Sequence, residues 1–335
     1  MKEQFKKYDG MLFGNGLSIN LISQLQPLIK SDKHYLLNID SFLKAFIDNQ
    51  LSPKEENRIF KLFYKSKDIT NLKNFEKIKD AFIQYYKTRD ANIEYWLGAD
   101  LFTEVDKCEY NSPAIKTFFP FMYNIWHEIM LDYLSYLNLN KKLKNFEESI
   151  ISVISRDAHI FTTNFDRLFE GLKPNHLHGS FLKDYKIFDE LIFKKISEES
   201  FYYKCIWGWN GIGKLNFIQN IKEIPGYEKC FDFDFFFDKN LYMKNLLIYG
   251  ISFQNSGYTK KLSASMPKYK KPVIGGIVDE HILIRLKGLQ NLRKLEKITF
   301  AYYSDSELQH YEYLSSYFNL HEVAYIRSSS LPFSI

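Results

Sequence analysis

The sequence predicts an α/β fold in which a doubly wound, parallel sheet is interrupted by a large helical insertion. Three observations lead to this prediction. Short apolar runs near the start and in the second half of the chain alternate with helical patterns, which is typical of a parallel sheet covered by helices. Residues 31–154 show only long amphipathic patterns, which indicate helices. At about 150 residues per domain, the 335 residues leave room for two domains.

Each element follows from a local pattern. The first strand is the apolar run at 11–13, which Gly14 and Gly16 end. Leucines at helical spacing then predict a helix to about residue 28, although Pro27 obscures its end. Further helices are predicted at 39–50, 53–64, 75–97 and 118–139, and Ser52 before Pro53 is a typical helix start. Strands are predicted at 159–162, 245–250, 272–277, 298–303 and 322–326, with helices at 282–292 and 306–318.

The predicted domains are a sheet domain of residues 1–30 and 155–335 and a helical insertion of residues 31–154. Hydrophobic residues make up 45% of the chain and charged residues 25%, which argues against disorder. No apolar run approaches the ~18 residues of a membrane span, and the charged start lacks a signal core. We therefore expect a cytoplasmic protein without a membrane partner.

Cysteine usage and charge exclude two further classes. The three cysteines are far apart, which favours neither a disulfide framework nor a four-thiolate zinc site. The net charge of +5 comes mostly from Lys in short clusters. A nucleic-acid interface concentrates Arg and Lys into a patch, so the pattern favours a solvated surface over nucleic-acid binding.

Two glycine motifs end predicted strands. Gly14, Asn15, Gly16 and Ser18 stand at the first strand-to-helix turn, where glycines allow close approach and a helix N-terminus presents N–H groups to phosphate. A purely structural turn is the alternative, because Ile19 replaces the third glycine of the dinucleotide-binding fingerprint. The later motif, Gly250 and Ser252, could contact a ribose or simply form a turn.

Two polar motifs lie between them. The first is Thr162, Thr163, Asn164 and Asp166, which follow a predicted strand. Asn164 could orient a sugar hydroxyl or a water, since such positions face the ligand crevice of a parallel sheet, but Asn and Asp also cap helices. The second motif contains His178, which suits general-base catalysis near neutral pH. A metal pair of His178 with His176 is an alternative for which no third ligand is evident.

Taken in order, these motifs resemble the sirtuin-like family of NAD-consuming domains, particularly the bacterial branch that acts in defence against phages. That family has a glycine loop ending in Ser (here 14–18) and a Thr-Thr-Asn-aromatic-Asp segment (162–166). A Leu-His-Gly segment (177–179) and a Gly-x-Ser (250–252) follow. The Gly-Asn-Gly form also resembles the abortive-infection protein AbiH and its relatives. The resemblance covers residues 8–30 and 155–335.

The resemblance implies a Rossmann-like sheet that binds NAD as substrate, without a metal, and hydrolyses it to nicotinamide and ADP-ribose. His178 would be the general base, Asn164 would position the attacking water and Asp166 would support the loop. The NAD-binding residues would be Gly14, Asn15, Gly16, Ser18, Thr162, Thr163, Gly250 and Ser252. The resemblance further implies an abortive-infection effector that forms homo-oligomers and is triggered by a partner ATPase or a phage-derived activator.

Some features depart from this family or suggest other functions. The zinc-binding Cys-x-x-Cys pairs and the Pro-Asp-Phe-Arg segment of deacylating sirtuins are missing, so deacylation is not expected. A non-catalytic NAD or ADP-ribose sensor and a protein acting on nucleic acid stay open as alternatives. Residues 208–214 have the spacing of a phosphate-binding loop, but Leu215 replaces its magnesium-binding hydroxyl. Asp232 and Asp234 are more typical of a solvated strand edge than of a cation site.

Overall fold

The computed structural model describes residues 8–65, 112–164, 168–177, 241–253 and 280–335. These residues form two compact units. The sheet unit contains residues 8–25, 141–164, 168–177, 241–253 and 280–335, and the helical unit contains residues 26–65 and 112–140. The helix predicted at 75–97, the strand predicted at 272–277, and residues 208–215, 232 and 234 lie outside the described residues.

The sheet unit is built on six parallel strands. They are β1 (Tyr8–Phe13), β2 (Ile154–Thr162), β3 (Asn175–His176), β4 (Met243–Tyr249), β5 (Leu295–Tyr302) and β6 (Val323–Arg327). Their order across the sheet is β3-β2-β1-β4-β5-β6, and every neighbouring pair runs parallel. The predicted α/β fold with a parallel sheet is confirmed.

Most of the strands begin earlier than the sequence predicts. In β2, the predicted part at 159–162 is largely buried, whereas Arg156 and Asp157 at its amino-terminal end are exposed. Apolar runs mark only the buried carboxyl-terminal halves of such strands, because a solvent-exposed half needs no apolar side chains. The predicted strands therefore mark the edge of the sheet at which the strands end.

Seven α-helices accompany the strands among the described residues. They are α1 (Asn15–Leu25), α2 (Ile39–Ile47), α3 (Pro53–Lys65), α4 (Ser112–Tyr136), α5 (Asn140–Ile151), α6 (Glu280–Asn291) and α7 (Asp305–Tyr317). The helices predicted at 39–50, 53–64, 118–139, 282–292 and 306–318 are confirmed. Among these described helices, none combines the length and apolar character that crossing a bilayer requires.

Side chains alternate between the two faces of the sheet, and helices cover both. On one face, Ile248 and Phe300 pack in a buried cluster with Leu283 of α6, and Phe300 stacks on Tyr311 of α7 with ring centroids 4.7 Å apart. On the other face, Phe13 contacts Phe169 edge-on at 5.5 Å.

A short C-terminal segment completes this second face. Phe333 packs against Tyr249 of β4, with ring centroids 5.0 Å apart, and against Phe146 of α5. Gln24 of α1 donates to the Phe333 carbonyl at 3.1 Å, and its side-chain oxygen accepts from the backbone N–H of Ile335. The segment therefore connects α1, which follows the glycine turn, to the body of the sheet unit.

The helical unit shows how the sequence determines one helix start. Ser52 caps α3, because the Glu55 N–H donates to the Ser52 hydroxyl at 3.4 Å and the Ser52 N–H donates to the Glu55 carboxylate at 2.8 Å. Lys33 and Tyr35 also donate to that carboxylate, at 2.9 and 2.6 Å. Burial alone would raise the pKa of the Glu55 carboxyl. The hydrogen bonds outweigh burial, so the pKa of Glu55 is lower than its ordinary value. Burial and the neighbouring carboxylate raise the pKa of Tyr35 to about 12.

Candidate functional site

The candidate site lies at the carboxyl ends of β1, β2 and β4. The chain leaves β1 towards β2 on one side, whereas β4 leads to β5 on the other side. Where consecutive connections of a parallel sheet diverge in this way, a crevice opens beyond the strand ends, and ligands of such folds bind there. All of the described site residues predicted from the sequence are found at this edge.

The glycine turn packs directly on the loop that follows β4. The Gly16 N–H donates to the Gly250 carbonyl at 3.0 Å, and a Cβ on Gly16 would lie 2.5 Å from the Gly250 Cα. Gly250 has a φ of +69°, and a Cβ there would lie 2.6 Å from the Gly16 Cα. Both positions therefore require glycine, because any side chain would separate the two backbones.

Two backbone N–H groups at the start of α1 donate hydrogen bonds to other residues of the protein. Besides the bond from Gly16, the Leu17 N–H donates to the Gly14 carbonyl at 3.0 Å. Gly14 is buried, whereas Asn15 is exposed. The predicted strand-to-helix turn is thus present between β1 and α1, and its contact with phosphate stays a prediction.

The Thr-Thr-Asn segment approaches the glycine turn from the other side of β1. The Thr163 N–H donates to the Phe13 carbonyl at 3.0 Å, and the Asn164 N–H donates to the Thr162 hydroxyl at 3.0 Å. The Asn164 side-chain Nδ2 donates to Ser18 Oγ at 3.0 Å, although 146 positions separate the two residues. Both are buried, with 7% and 2% of their surface exposed. Two of the predicted motifs therefore meet through a direct side-chain contact.

His176 and Glu170, which no sequence motif joins as a pair, hold this segment in place. His176 Nδ1 lies 2.9 Å from the Asn164 carbonyl oxygen, and Nε2 lies 2.9 Å from Glu170 Oε1. Both neighbours are hydrogen-bond acceptors, so both ring nitrogens are engaged within the protein. Neither nitrogen is available to a metal ion, which argues against the alternative of a His176–His178 pair. No pattern of spacing in the sequence indicates the Glu170–His176 contact.

The loop after β4 is held by α7. The single proton of the Tyr311 hydroxyl is shared between two acceptors, the Ile251 carbonyl at 2.7 Å and the Glu307 carboxylate at 3.0 Å. Ser252 is exposed between the buried Ile251 and Phe253, and Phe253 has a φ of +52°. Burial and the Glu307 carboxylate raise the pKa of Tyr311, so its hydroxyl keeps the proton that it donates.

A second tyrosine connects β4 to α1. Asn20 Nδ2 donates to the Tyr249 hydroxyl at 2.7 Å, and this hydroxyl also shares a 2.5 Å hydrogen bond with Tyr303. Tyr249 is fully buried, and burial followed by the Tyr303 contact raises its pKa. These contacts hold α1 on the side of the sheet from which the glycine turn emerges.

The structure thus brings together Gly14, Asn15, Gly16, Ser18, Thr162, Thr163, Asn164, Gly250 and Ser252 at one edge of the sheet. Asp166 and His178 lie outside the described residues. No group of three or more metal-ligating side chains occurs in the part of the chain that the structure describes. Searches of protein-family models, curated proteins and solved structures find no match to this chain.

Proposed function

We propose that this chain is an NAD glycohydrolase, which converts NAD and water to nicotinamide and ADP-ribose. The observation that carries the proposal is the buried hydrogen bond from Asn164 to Ser18, 3.0 Å long. It joins the segment expected to face the nicotinamide ribose to the segment expected to face the pyrophosphate. Because the contact depends on long-range folding, it supports the view that the two motifs belong to one site.

The strand order is a second support. The order β3-β2-β1-β4-β5-β6 is that of sheets that bind dinucleotides across the crevice between their two halves. We therefore also propose that the sheet unit is a doubly wound, Rossmann-like domain. Its crevice would lie above β1 and β4, where Gly16 and Gly250 meet without intervening side chains.

The residues present at this edge are compatible with NAD. Close contact of Gly16 with Gly250 leaves a surface of backbone and small side chains, beside which Asn15 and Ser252 are exposed. Asn15 and the positive end of α1 would face the pyrophosphate. Gly250 and Ser252 would lie near the adenosine ribose, whereas Thr162, Thr163 and Asn164 would lie towards the nicotinamide half.

The proposed chemistry needs no metal. The bond between the ribose C1′ and the nicotinamide nitrogen breaks, and its electron pair neutralises the pyridinium charge, so the leaving group needs no strong acid. A water held by the Asn164 side-chain oxygen attacks C1′ and gives its proton to His178. Asp166 would support the loop that carries Asn164. The described contacts of this loop, from His176 and Thr162, would keep Asn164 in one orientation.

A non-catalytic NAD or ADP-ribose sensor is the second candidate function. Asn164 is only 7% exposed, and its amide already donates to Ser18. The same contact would suit a residue that shapes a binding site without taking part in a reaction. The two candidates differ in one product, because only the hydrolase releases nicotinamide.

The deciding experiment measures NAD loss and nicotinamide release by chromatography. We expect release by wild type and by Asn291→Ala, an exposed asparagine at the opposite edge of the sheet. Asn164→Ala and His178→Ala should lower the rate about 100-fold or more, the usual contribution of positioned acid–base groups. Folded wild type that binds NAD but releases no nicotinamide, in vitro or in infected cells, would favour the sensor.

The physiological part of the proposal rests on the sequence resemblance. An enzyme that depletes NAD is toxic, so we propose an abortive-infection effector that is inactive until a trigger arrives. The effector would act as a homo-oligomer, with a partner ATPase or a phage-derived molecule as the candidate activator. Cellular NAD, measured before and after phage infection in cells expressing wild type or His178→Ala, tests this role. Equal NAD levels in both cultures after infection would contradict it.

A further inference from the structure

Glu307 places a carboxylate beside the loop that follows β4. It lies in the first turn of α7, which follows the carboxyl end of β5, the strand next to β4. Its Oε1 lies 3.0 Å from the Tyr311 hydroxyl, and the same hydroxyl lies 2.7 Å from the Ile251 carbonyl oxygen. One hydroxyl therefore bridges the Glu307 carboxylate to the residue that precedes Ser252.

Part of the role of Glu307 is to fix the start of α7. Its backbone N–H donates to the Ser304 hydroxyl at 3.2 Å, and its Oε2 accepts from the Tyr303 N–H at 2.6 Å. This arrangement is similar to a capping box, in which glutamine serves as well as glutamate. The hydrogen bonds at the helix start therefore do not require the negative charge of Glu307.

The negative charge of Glu307 is not neutralised by an ion pair with any of the described residues. Arg327, at the carboxyl end of β6, is paired with Asp305, with 2.6 Å between Nη2 and Oδ1, so that pair adds no net charge. The Glu307 carboxylate is only partly buried, and its contacts to Tyr303 and Tyr311 use part of its roughly four acceptor positions. It is therefore accessible to a ligand beside it, both as a charge and as an acceptor.

The expected neighbour of this carboxylate is the adenosine ribose, because Gly250 and Ser252 are the residues that would lie near that sugar. NAD carries a 2′-hydroxyl on this ribose, whereas NADP carries a phosphate there. A carboxylate accepts a hydrogen bond from the hydroxyl but repels the phosphate, and in other dinucleotide-binding sheets an acidic residue contacts the 2′-hydroxyl of NAD. Repulsion between charges acts over several ångströms, so the discrimination does not require direct contact with Glu307.

We propose that the charge of Glu307 makes the site selective for NAD over NADP. The proposed substrate is then a dinucleotide whose adenosine ribose carries no 2′-phosphate. This inference rests on the proposed function, because it requires that the crevice holds a dinucleotide. It adds a specificity-determining residue that none of the four sequence motifs contains.

Calorimetric titration with ADP-ribose and 2′-phospho-ADP-ribose, the products expected from NAD and NADP, tests the inference. Wild type should bind ADP-ribose about tenfold more tightly at low salt, and this ratio should fall as added salt screens the charge. Glu307→Gln keeps the capping hydrogen bonds but removes the charge, so its two affinities should agree within about threefold. Glu312→Gln removes the same charge from an exposed position further along α7 and should keep the wild-type ratio.

The outcomes separate this inference from the proposed function. Equal affinity of wild type for the two compounds overturns the inference, as does a wild-type ratio that does not change with salt. A wild-type ratio in Glu307→Gln, or the same loss of selectivity in Glu312→Gln, also overturns it. In each case the proposed function stands if wild type releases nicotinamide from NAD. Failure of folded wild type to bind either ADP-ribose or NAD overturns both. The salt series needs no variant, so it decides the matter even if Glu307→Gln does not fold.

Discussion

The two sides of β1 hold the candidate site together by different means. On the β2 side, side chains do so: Asn164 bonds to Ser18, and His176 bonds to Asn164 and Glu170. On the β4 side, two backbone segments are in direct contact, since a Cβ on Gly16 would lie only 2.5 Å from the Gly250 Cα. A substitution in a side-chain network removes one or two contacts at a moderate cost in stability, whereas any side chain added at a backbone contact forces the two segments apart. Substitutions on the two sides should therefore differ in size.

The largest effect is expected for Gly250→Ala. The new Cβ would lie 2.6 Å from the Gly16 Cα, and the φ of +69° is unfavourable for any L side chain. Together these should lower the free energy of unfolding by about 3 kcal/mol, measured by urea denaturation. Gly288→Ala in α6 is the matched control, because nothing lies within 4 Å of its Cβ position. It should raise stability by about 1 kcal/mol, as alanine does in helices. Equal stability of the two variants would contradict the backbone contact.

A smaller effect is expected on the β2 side from His176→Phe. This change removes the His176 contacts to the buried Asn164 carbonyl and to the Glu170 carboxylate, which should cost about 2 kcal/mol in urea denaturation. Glu170→Gln should cost less than about 1 kcal/mol, because the Glu170 side chain is 38% exposed. If the network positions Asn164, His176→Phe should also slow nicotinamide release while NAD still binds. Wild-type stability of His176→Phe would show that the network does not hold the segment.

A third, still smaller effect is expected for Tyr249→Phe. The change removes the acceptor of the Asn20 amide and the partner of Tyr303, and it should cost about 1 kcal/mol in the same assay. Tyr242→Phe, an exposed tyrosine just before β4, should change stability by less than about 0.5 kcal/mol. A cost for Tyr249→Phe as large as that for Gly250→Ala would mean that side chains also dominate the β4 side.

The sequence predicts the parts of the site that carry local signals. Gly14, Gly16 and Gly250 stand at strand ends, and the run from Thr162 to Asn164 follows an apolar strand. The structure places these motifs together because parallel strands end at one edge of the sheet. The helix α5 and the two-residue strand β3 were not predicted individually, since short or weakly apolar segments carry little periodicity.

The contacts that orient the site residues could not be predicted in this way. Asn20 meets Tyr249 across 229 positions, and Tyr311 meets Ile251 across 60. Such pairs consist of common residue types, and only the packing of α1 and α7 on the sheet brings them together.

The last and smallest effect appears only at alkaline pH and concerns the contribution of Tyr249 on the β4 side. Burial raises the pKa of Tyr249 and of Tyr311 in the folded protein above their value in the unfolded chain. Their contribution to stability is therefore complete below about pH 10 and is lost as the pH rises further, because the unfolded tyrosines ionise first. Urea denaturation between pH 9 and pH 11 should show a shallower fall for Tyr249→Phe than for wild type. Parallel falls would mean that the Tyr249 hydroxyl is as solvated in the folded protein as in the unfolded chain, and that the β4 side is more open than its contacts indicate.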